Sequence, residues 1–333
     1  MLVASLVTLV VGWSALWWFA RHEAEQTFAA WIRNERAEGR IWTCPNQSIG
    51  GYPLGIVLSC RQPSFRGPLA DGIYTGTLAG LQAEARLYFP TNVLVTLSGP
   101  LKLQDRKGGA PFTAEWGSSK LTLRGEVPGD LDRGQIEFEN LAATFPGESA
   151  PARVGRLEAS FRSVPQNAVQ PFDAETILSL TDAQIPSLDA ALGNTEALTA
   201  SVAATVTRFF GTAPTWPALL KPWREAGGQL RIRSLSLQKG GFRVEGDGKF
   251  DLDDERRPNG NFDARFIGLE PLAQKLGIPL PALQIGGALS ALLGGKANAG
   301  NAGSAALALP IVAKDGRLWV GPVKTGVKLD PLY

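Results

Sequence analysis

GFRVEGDGKFDLDD, residues 241–254, decides the fold class. Phe242, Val244, Phe250 and Leu252 fall on one side of a period-two pattern, and Arg243, Glu245, Asp247, Lys249, Asp251 and Asp253 fall on the other. A helix would scatter these residues around its circumference, whereas a strand sends successive side chains to opposite faces. The stretch reads as a strand with one dry and one wet face, the signature of an antiparallel sheet. Gly246 and Gly248 interrupt the dry face, which predicts a bulge or a close neighbour there.

The same pattern extends in both directions. ERRPNGNF (255–262) reads as a turn at Asn259-Gly260, and NFDARFIGL (261–269) returns with Phe262, Ala264 and Phe266 inward. EPLAQKLG (270–277) reads as a short helix and KANAGNAGSAA (296–306) as a flexible loop. LALPIVAKDGRLWVGPV (307–323) closes as a hairpin around Asp315-Gly316, a dipeptide suited to a type I′ turn. Upstream, GIVLSC (55–60), NVLVTLSGPLKL (92–103), SKLTLRGEV (119–127), QIEFENLAATF (135–145) and VGRLEASFRSV (154–164) are strand-like. TGTLAGLQAEARLYFP (75–90) puts Leu81, Ala83, Ala85, Leu87 and Phe89 on one face of a strand. Between the two blocks, AETILSL (174–180) and TWPALLKPWREAGG (215–228) read as helices, and NTEALTASVAATVTRFF (194–210) fits strand or helix, with Thr and Val favouring strand.

The expected organisation is an apolar anchor (1–20), a juxtamembrane helix (21–40), a first strand-rich block (41–165), a mixed helical middle (166–228) and a second strand-rich block (229–333). The fold class expected is α+β, mainly β: long curved antiparallel sheets with a few short helices, after one N-terminal transmembrane helix.

Composition agrees. With 38 Gly and 23 Pro in 333 residues, and only 19% charged residues, the chain suits short strands and turns better than a helical bundle. The net charge of +2 and the lack of any Lys/Arg-rich run argue against nucleic acid as a partner. His22 is the only histidine, and it sits at the edge of the first apolar segment, so a Ser-His-Asp triad or Cys-His dyad has almost nothing to draw on.

That segment, LVASLVTLVVGWSALWWFA (2–20), has nineteen residues and no charge. As a helix it covers roughly 28 Å, close to the hydrocarbon thickness of a bilayer. Trp17, Trp18 and Phe19 stand at its far end, where amphipathic rings favour the interface. Trp18-Phe19-Ala20 lacks the small residue a signal-peptide cleavage site needs at −3, so the segment reads as an uncleaved anchor. Arg21, Arg33, Arg36 and Arg40 follow it and no Lys or Arg precedes it, which by the positive-inside rule points the body to the cytoplasm. The cysteines point the other way, and a start upstream of Met1 with a basic leader would reconcile the two. RHEAEQTFAAWIRNERAEGR (21–40) continues as a helix, with Ala24, Phe28, Trp31 and Ile32 on one face and Gly39 as its C-terminal cap.

Cys44 and Cys60 are the only cysteines. Their fifteen intervening residues exclude a CxxC redox motif, zinc would lack two further soft ligands, and a catalytic thiol would lack a nearby base. A disulfide remains. It closes a loop containing Gly50, Gly51, Pro53 and Gly55, and such bonds persist outside the reducing cytosol. The expected location is therefore the inner membrane, single-pass, with the C-terminal body in the periplasm.

Motifs for chemistry are missing. No GxSxG elbow occurs. SALLGGKA (290–297) has Ser290 and Ala297 where a phosphate-binding loop needs Gly and Ser/Thr, and GDGKFD lacks the third glycine of a dinucleotide fingerprint. Asp251, Asp253, Asp254 and Glu255 lack the spacing of a calcium loop and read as a solvated strand end. The expectation is no catalytic residue, no cofactor, no metal site and no enzymatic activity.

WIRNERAEGRIWTCP (31–45), IGGYPLGIVLSC (49–60) and WREAGGQLRIRSLSLQKGGFRVEGDGKFDLDDERRPNG (223–260) resemble the proteobacterial envelope proteins grouped as domain of unknown function 2125. The resemblance runs from about Trp31 to the end. It implies an envelope protein and no functional residue, because the family has no assigned activity. AKDGRLWVGP (313–322) also looks like the closing hairpin of AsmA-like envelope proteins, a resemblance that implies long curved sheets and lipid transport. Two functions are expected from the whole. One is handling of lipid or another apolar envelope component along a curved sheet. The alternative is a structural or scaffold role, with envelope proteins bound at sheet edges or at the tryptophan-bearing helix of 215–226.

Overall fold

The computed structural model describes residues 1–125, 131–148, 150–164, 170–211, 213–268 and 307–333. Within these the chain is mainly antiparallel sheet, divided into two compact units, Met1–Ser149 and Ala150–Tyr333. The short helix expected at 270–277, the loop at 296–306 and the SALLGGKA stretch lie outside the described residues.

The first unit opens with one unbroken helix, α1 (Leu2–Ala37). The segments expected as anchor and juxtamembrane helix are thus a single element, because nothing between Ala20 and Arg21 breaks a helix; Gly39, at φ +78°, lies just beyond its end. The strands follow as β1 (Ile41–Thr43), β2 (Ser48–Gly50), β3 (Gly55–Arg61), β4 (Ser64–Leu69), β5 (Gly72–Arg86), β6 (Phe89–Asp105), β7 (Phe112–Glu115), β8 (Ser118–Gly125) and β9 (Leu131–Thr144). β3 and β4 both pair with β5, β5 with β6, and β6 with β7 and β8, which both meet β9. Their register lines apolar residues up in rows. Leu58, Ala83, Val95, Leu121 and Ile136 stand side by side across five strands. One expected strand is corrected here: 75–90 turns back at Leu87-Tyr88, so Phe89 opens β6 and faces Arg86. Alternation alone does not reveal the turn, since the apolar pattern runs straight through it.

Among the described residues the second unit is a meander of nine strands: β10 (Ala152–Val164), β11 (Phe172–Gln184), β12 (Leu198–Phe209), β13 (Leu230–Lys239), β14 (Phe242–Leu252), β15 (Pro258–Ile267), β16 (Leu307–Lys314), β17 (Arg317–Val320) and β18 (Val323–Lys328). Helix α2 (Pro186–Leu192) connects β11 to β12, and α3 (Trp216–Glu225) connects β12 to β13. AETILSL is strand rather than helix. Ala174, Thr176, Leu178 and Leu180 fit either period, but pairing on both sides, to β10 and β12, settles it as strand. The turn before β15 is also displaced. It is formed at Asp253–Arg257, where Arg256 N donates to Asp253 O at 2.9 Å, while Asn259 and Gly260 are already paired with Asp251 and Phe250. The closing hairpin turns at Asp315-Gly316 with φ +52° and +68°, as a type I′ turn requires.

Candidate functional site

The second unit has a broad dry sheet face. Ala159, Leu178, Val202, Leu235, Gly246, Ala264 and Leu309 form one row across seven strands. Phe161, Thr176, Ala204, Ile232, Gly248, Phe262 and Ile311 form the next. The glycines of the GDG stretch let large neighbours lie across these rows: a Cβ on Gly246 would come within 2.8 Å of the Phe262 ring, and one on Gly248 within 3.0 Å of Phe262 Cβ. This is the close neighbour the sequence predicts.

Two connections pack against this part of the fold, α2 across β13–β17 and α3 beside the end of β12. From α2, Leu192 is buried with Phe242, Phe262, Ala264, Phe266, Leu309 and Val320, and Leu188 packs against the same cluster. Trp223 of α3 is also buried, and its Nε1 donates to Thr207 O at 2.9 Å. Gly228 makes room for that indole, since a Cβ there would lie 2.2 Å from Nε1. Trp216, on the same helix, is 47% exposed. Towards β11 the cover thins, and Leu178 remains 39% exposed.

One cation lies on the dry side. Lys239, at the end of β13, is completely buried, and its Nζ is 2.7 Å from Asp189 Oδ1 of α2. Its Nζ also donates to Glu196 O, and Asn194 Nδ2 donates to Lys239 O at 3.3 Å. The sequence presents Lys239 only as the polar end of a strand.

The wet face carries ion pairs. Glu175 accepts from both Arg162 and Arg233, and the Arg162 hydrogen bond is the main reason its carboxyl is held below the usual carboxylate range. At the β13–β14 bulge, Arg233 and Ser234 both oppose Asp247, and a depression of about 640 Å³ opens there. Arg233 and Arg265 line it against Glu245, Asp247 and Asp263, so its charges are mixed in sign. The acidic group expected at the strand end builds a turn. Asp253 accepts from Arg257 N and Arg257 Nε, both at 2.8 Å, and Asp251 accepts from Asn259 Nδ2 at 2.7 Å. Burial disfavours the charge of Asp253, but these Arg257 bonds outweigh it and leave the carboxyl below its ordinary range. Among the described residues no group of three His, Cys, Asp or Glu is placed to hold a metal ion.

In the first unit Cys44 and Cys60 are joined, with Cα atoms 5.5 Å apart, and Cys60 is buried in the row beside Leu81 and Leu97. The loop they close rests on α1. Trp13 Nε1 donates to Pro53 O and Trp17 Nε1 to Gly55 O, each at 2.8 Å, and Ser14 Oγ lies 2.9 Å from Tyr52 Oη. At the other end of the helix Glu35 accepts from Arg40 twice at 2.6 Å and from Trp42 Nε1 at 2.9 Å. The Arg40 bonds are the largest reason the Glu35 carboxyl sits below its ordinary value. Trp31, Trp42 and Phe65 continue the contact as a run of rings 5.5 and 4.8 Å apart. Trp13 and Trp17 stand at i, i+4 with Arg21 and Ala24 continuing the stripe, a signal in the sequence that marks this docking side.

Comparison with protein families matches residues 17–327 to uncharacterised proteins conserved in bacteria, the family of domain of unknown function 2125. The chain belongs to this family. The match begins inside α1, at Trp17, and reaches Val327 in β18, so it takes in both units and the part of α1 from Trp17 onward. No curated protein and no solved structure matches the chain.

Proposed function

We propose that this protein is held in the bacterial inner membrane by the apolar part of α1, with its two units in the periplasm, and that it binds or handles lipid or another apolar envelope component along the dry sheet face of the second unit. The observation that carries the reading is that face: apolar rows seven strands wide, buried under α2 around Phe262, Ala264 and Leu309 but left open towards β11, where Leu178 is 39% exposed. Removing an acyl chain from water along such a surface is favourable by about 25 cal/mol per Å² and needs no catalytic residue. The apolar run of 2–20 supports the anchor, and the Cys44–Cys60 bond supports an oxidising compartment. No reaction is assigned.

The test is mass spectrometry of lipids carried by the full-length protein after mild detergent extraction, beside a Leu178→Asp, Val202→Asp variant. Lipid retained by the native chain and lost from the folded variant supports the reading. No lipid on the native chain overturns it. A second reading, a scaffold role through α3, is favoured by the exposure of Trp216, and in-cell crosslinking from position 216 to one dominant protein would select it.

A further inference from the structure

We infer that the end of the first sheet nearest α1 is itself embedded in the membrane interface, so that the bilayer is the partner of a surface formed by Tyr52, Leu54, Tyr88 and Phe89. This rests on the reading of α1 as an anchor and adds a second, independent membrane contact.

The argument begins with helix geometry. Arg21 is the first charge after the apolar run, which sets the body-side limit of the hydrocarbon near it. Trp17 and Trp13 lie four and eight residues before Arg21, or about 6 and 12 Å towards the membrane at 1.5 Å per residue. The disulfide-closed loop is bonded to these two indoles, through Pro53 O and Gly55 O. The loop therefore cannot stay in water when α1 crosses a bilayer. It is carried to a depth at which interfacial segments bury their apolar side, roughly 5–10 Å into the headgroup and acyl boundary.

The residues at this end suit that depth. Tyr52 and Leu54 are 53% and 62% exposed, and no described protein atom covers them fully. The β5–β6 turn is fixed to the same loop, because Leu87 N donates to Leu54 O at 3.1 Å. It adds Tyr88 and Phe89, 52% and 60% exposed, whose rings are 5.2 Å apart. Arg86 Nη1 lies 3.1 Å from Tyr88 Oη, and Arg21 stands 5.9 Å from the Trp17 ring centroid. Aromatic rings edged by arginines that can reach phosphates are the composition of a membrane interface belt. A soluble surface has no reason to gather four large apolar side chains around two backbone carbonyls already bonded to an apolar helix.

The test places single nitroxide labels at Leu9, Leu54, Tyr88 and Lys107 of the full-length, disulfide-bonded protein in phosphatidylethanolamine–phosphatidylglycerol nanodiscs. Collision with oxygen, which partitions into lipid, is compared with collision with a water-soluble nickel chelate. We expect oxygen-to-nickel ratios at Leu54 and Tyr88 several-fold above that at Lys107 and below that at Leu9. Ratios at Leu54 and Tyr88 equal to Lys107, with Leu9 deep, overturn the inference and leave the anchor standing. Labels at 54 and 88 shielded from both reagents mean a protein or a second copy covers the surface, and also overturn it. An aqueous Leu9 removes the anchor, and the inference with it.

Discussion

Lys239 Nζ and Asp189 Oδ1 are 2.7 Å apart, with the lysine entirely buried on the dry side of the second sheet. The pair joins α2 to the end of β13, and it does so beside the apolar cluster around Leu192 and Phe242. The ammonium, removed from water, is tolerated because Asp189, itself partly exposed, answers its charge and Glu196 O takes a further ammonium hydrogen.

Removing one partner leaves the other charge uncompensated. Lys239→Met is expected to destabilise the second unit by about 3 kcal/mol, whereas Lys239→Met with Asp189→Leu recovers most of that loss. Denaturant unfolding in detergent measures both. Equal stability of the single and double variants would show that the pair is not the contact holding α2.

Gly246 sits where β14 has no room for a side chain. A Cβ there would be 2.3 Å from Asp263 O, a backbone atom that cannot move without disturbing β15. Gly246→Ala is expected to cost about 1–3 kcal/mol, and Gly241→Ala, where a Cβ meets nothing within 4 Å, much less. Melting temperatures of the two variants decide it.

Acid should loosen the attachment of α1 to β1. Glu35 has its carboxyl lowered from 4.5 in the folded protein, chiefly by Arg40. A lowered folded pKa contributes stability that is present above the unfolded value and lost as pH falls through the folded one. The native chain should therefore lose stability from about pH 4.5 downwards, and Glu35→Gln should flatten that part of the profile. Trp42, hydrogen-bonded to Glu35, offers an emission change to follow it.

The bond between Cys44 and Cys60 closes the loop that α1 holds. Cys44→Ser with Cys60→Ser is expected to lower stability by about 3 kcal/mol through the freed unfolded chain. The indole N–H groups of Trp13 and Trp17, which donate to Pro53 O and Gly55 O, should then exchange faster with solvent, which NMR of their Nε1 protons would read. Unchanged exchange would mean the helix alone fixes the loop.

Periodicity and composition were enough for the architecture. GFRVEGDGKFDLDD alternates because a strand in an antiparallel sheet has one wet and one dry side, and that rule is local. The nineteen-residue apolar run, the two cysteines and the Asp315-Gly316 turn are legible for the same reason: each requirement is met within a few residues. AETILSL misled because a seven-residue stretch with four apolar residues fits both periods, and only neighbours on either side decide between them. The tertiary structure alone decided which distant residues meet. Lys239 and Asp189 are fifty positions apart, and Trp13 finds Pro53 forty positions on. Sequence spacing carries no information about such contacts, because they depend on strand register summed over a whole sheet and on where two connections fold back across it.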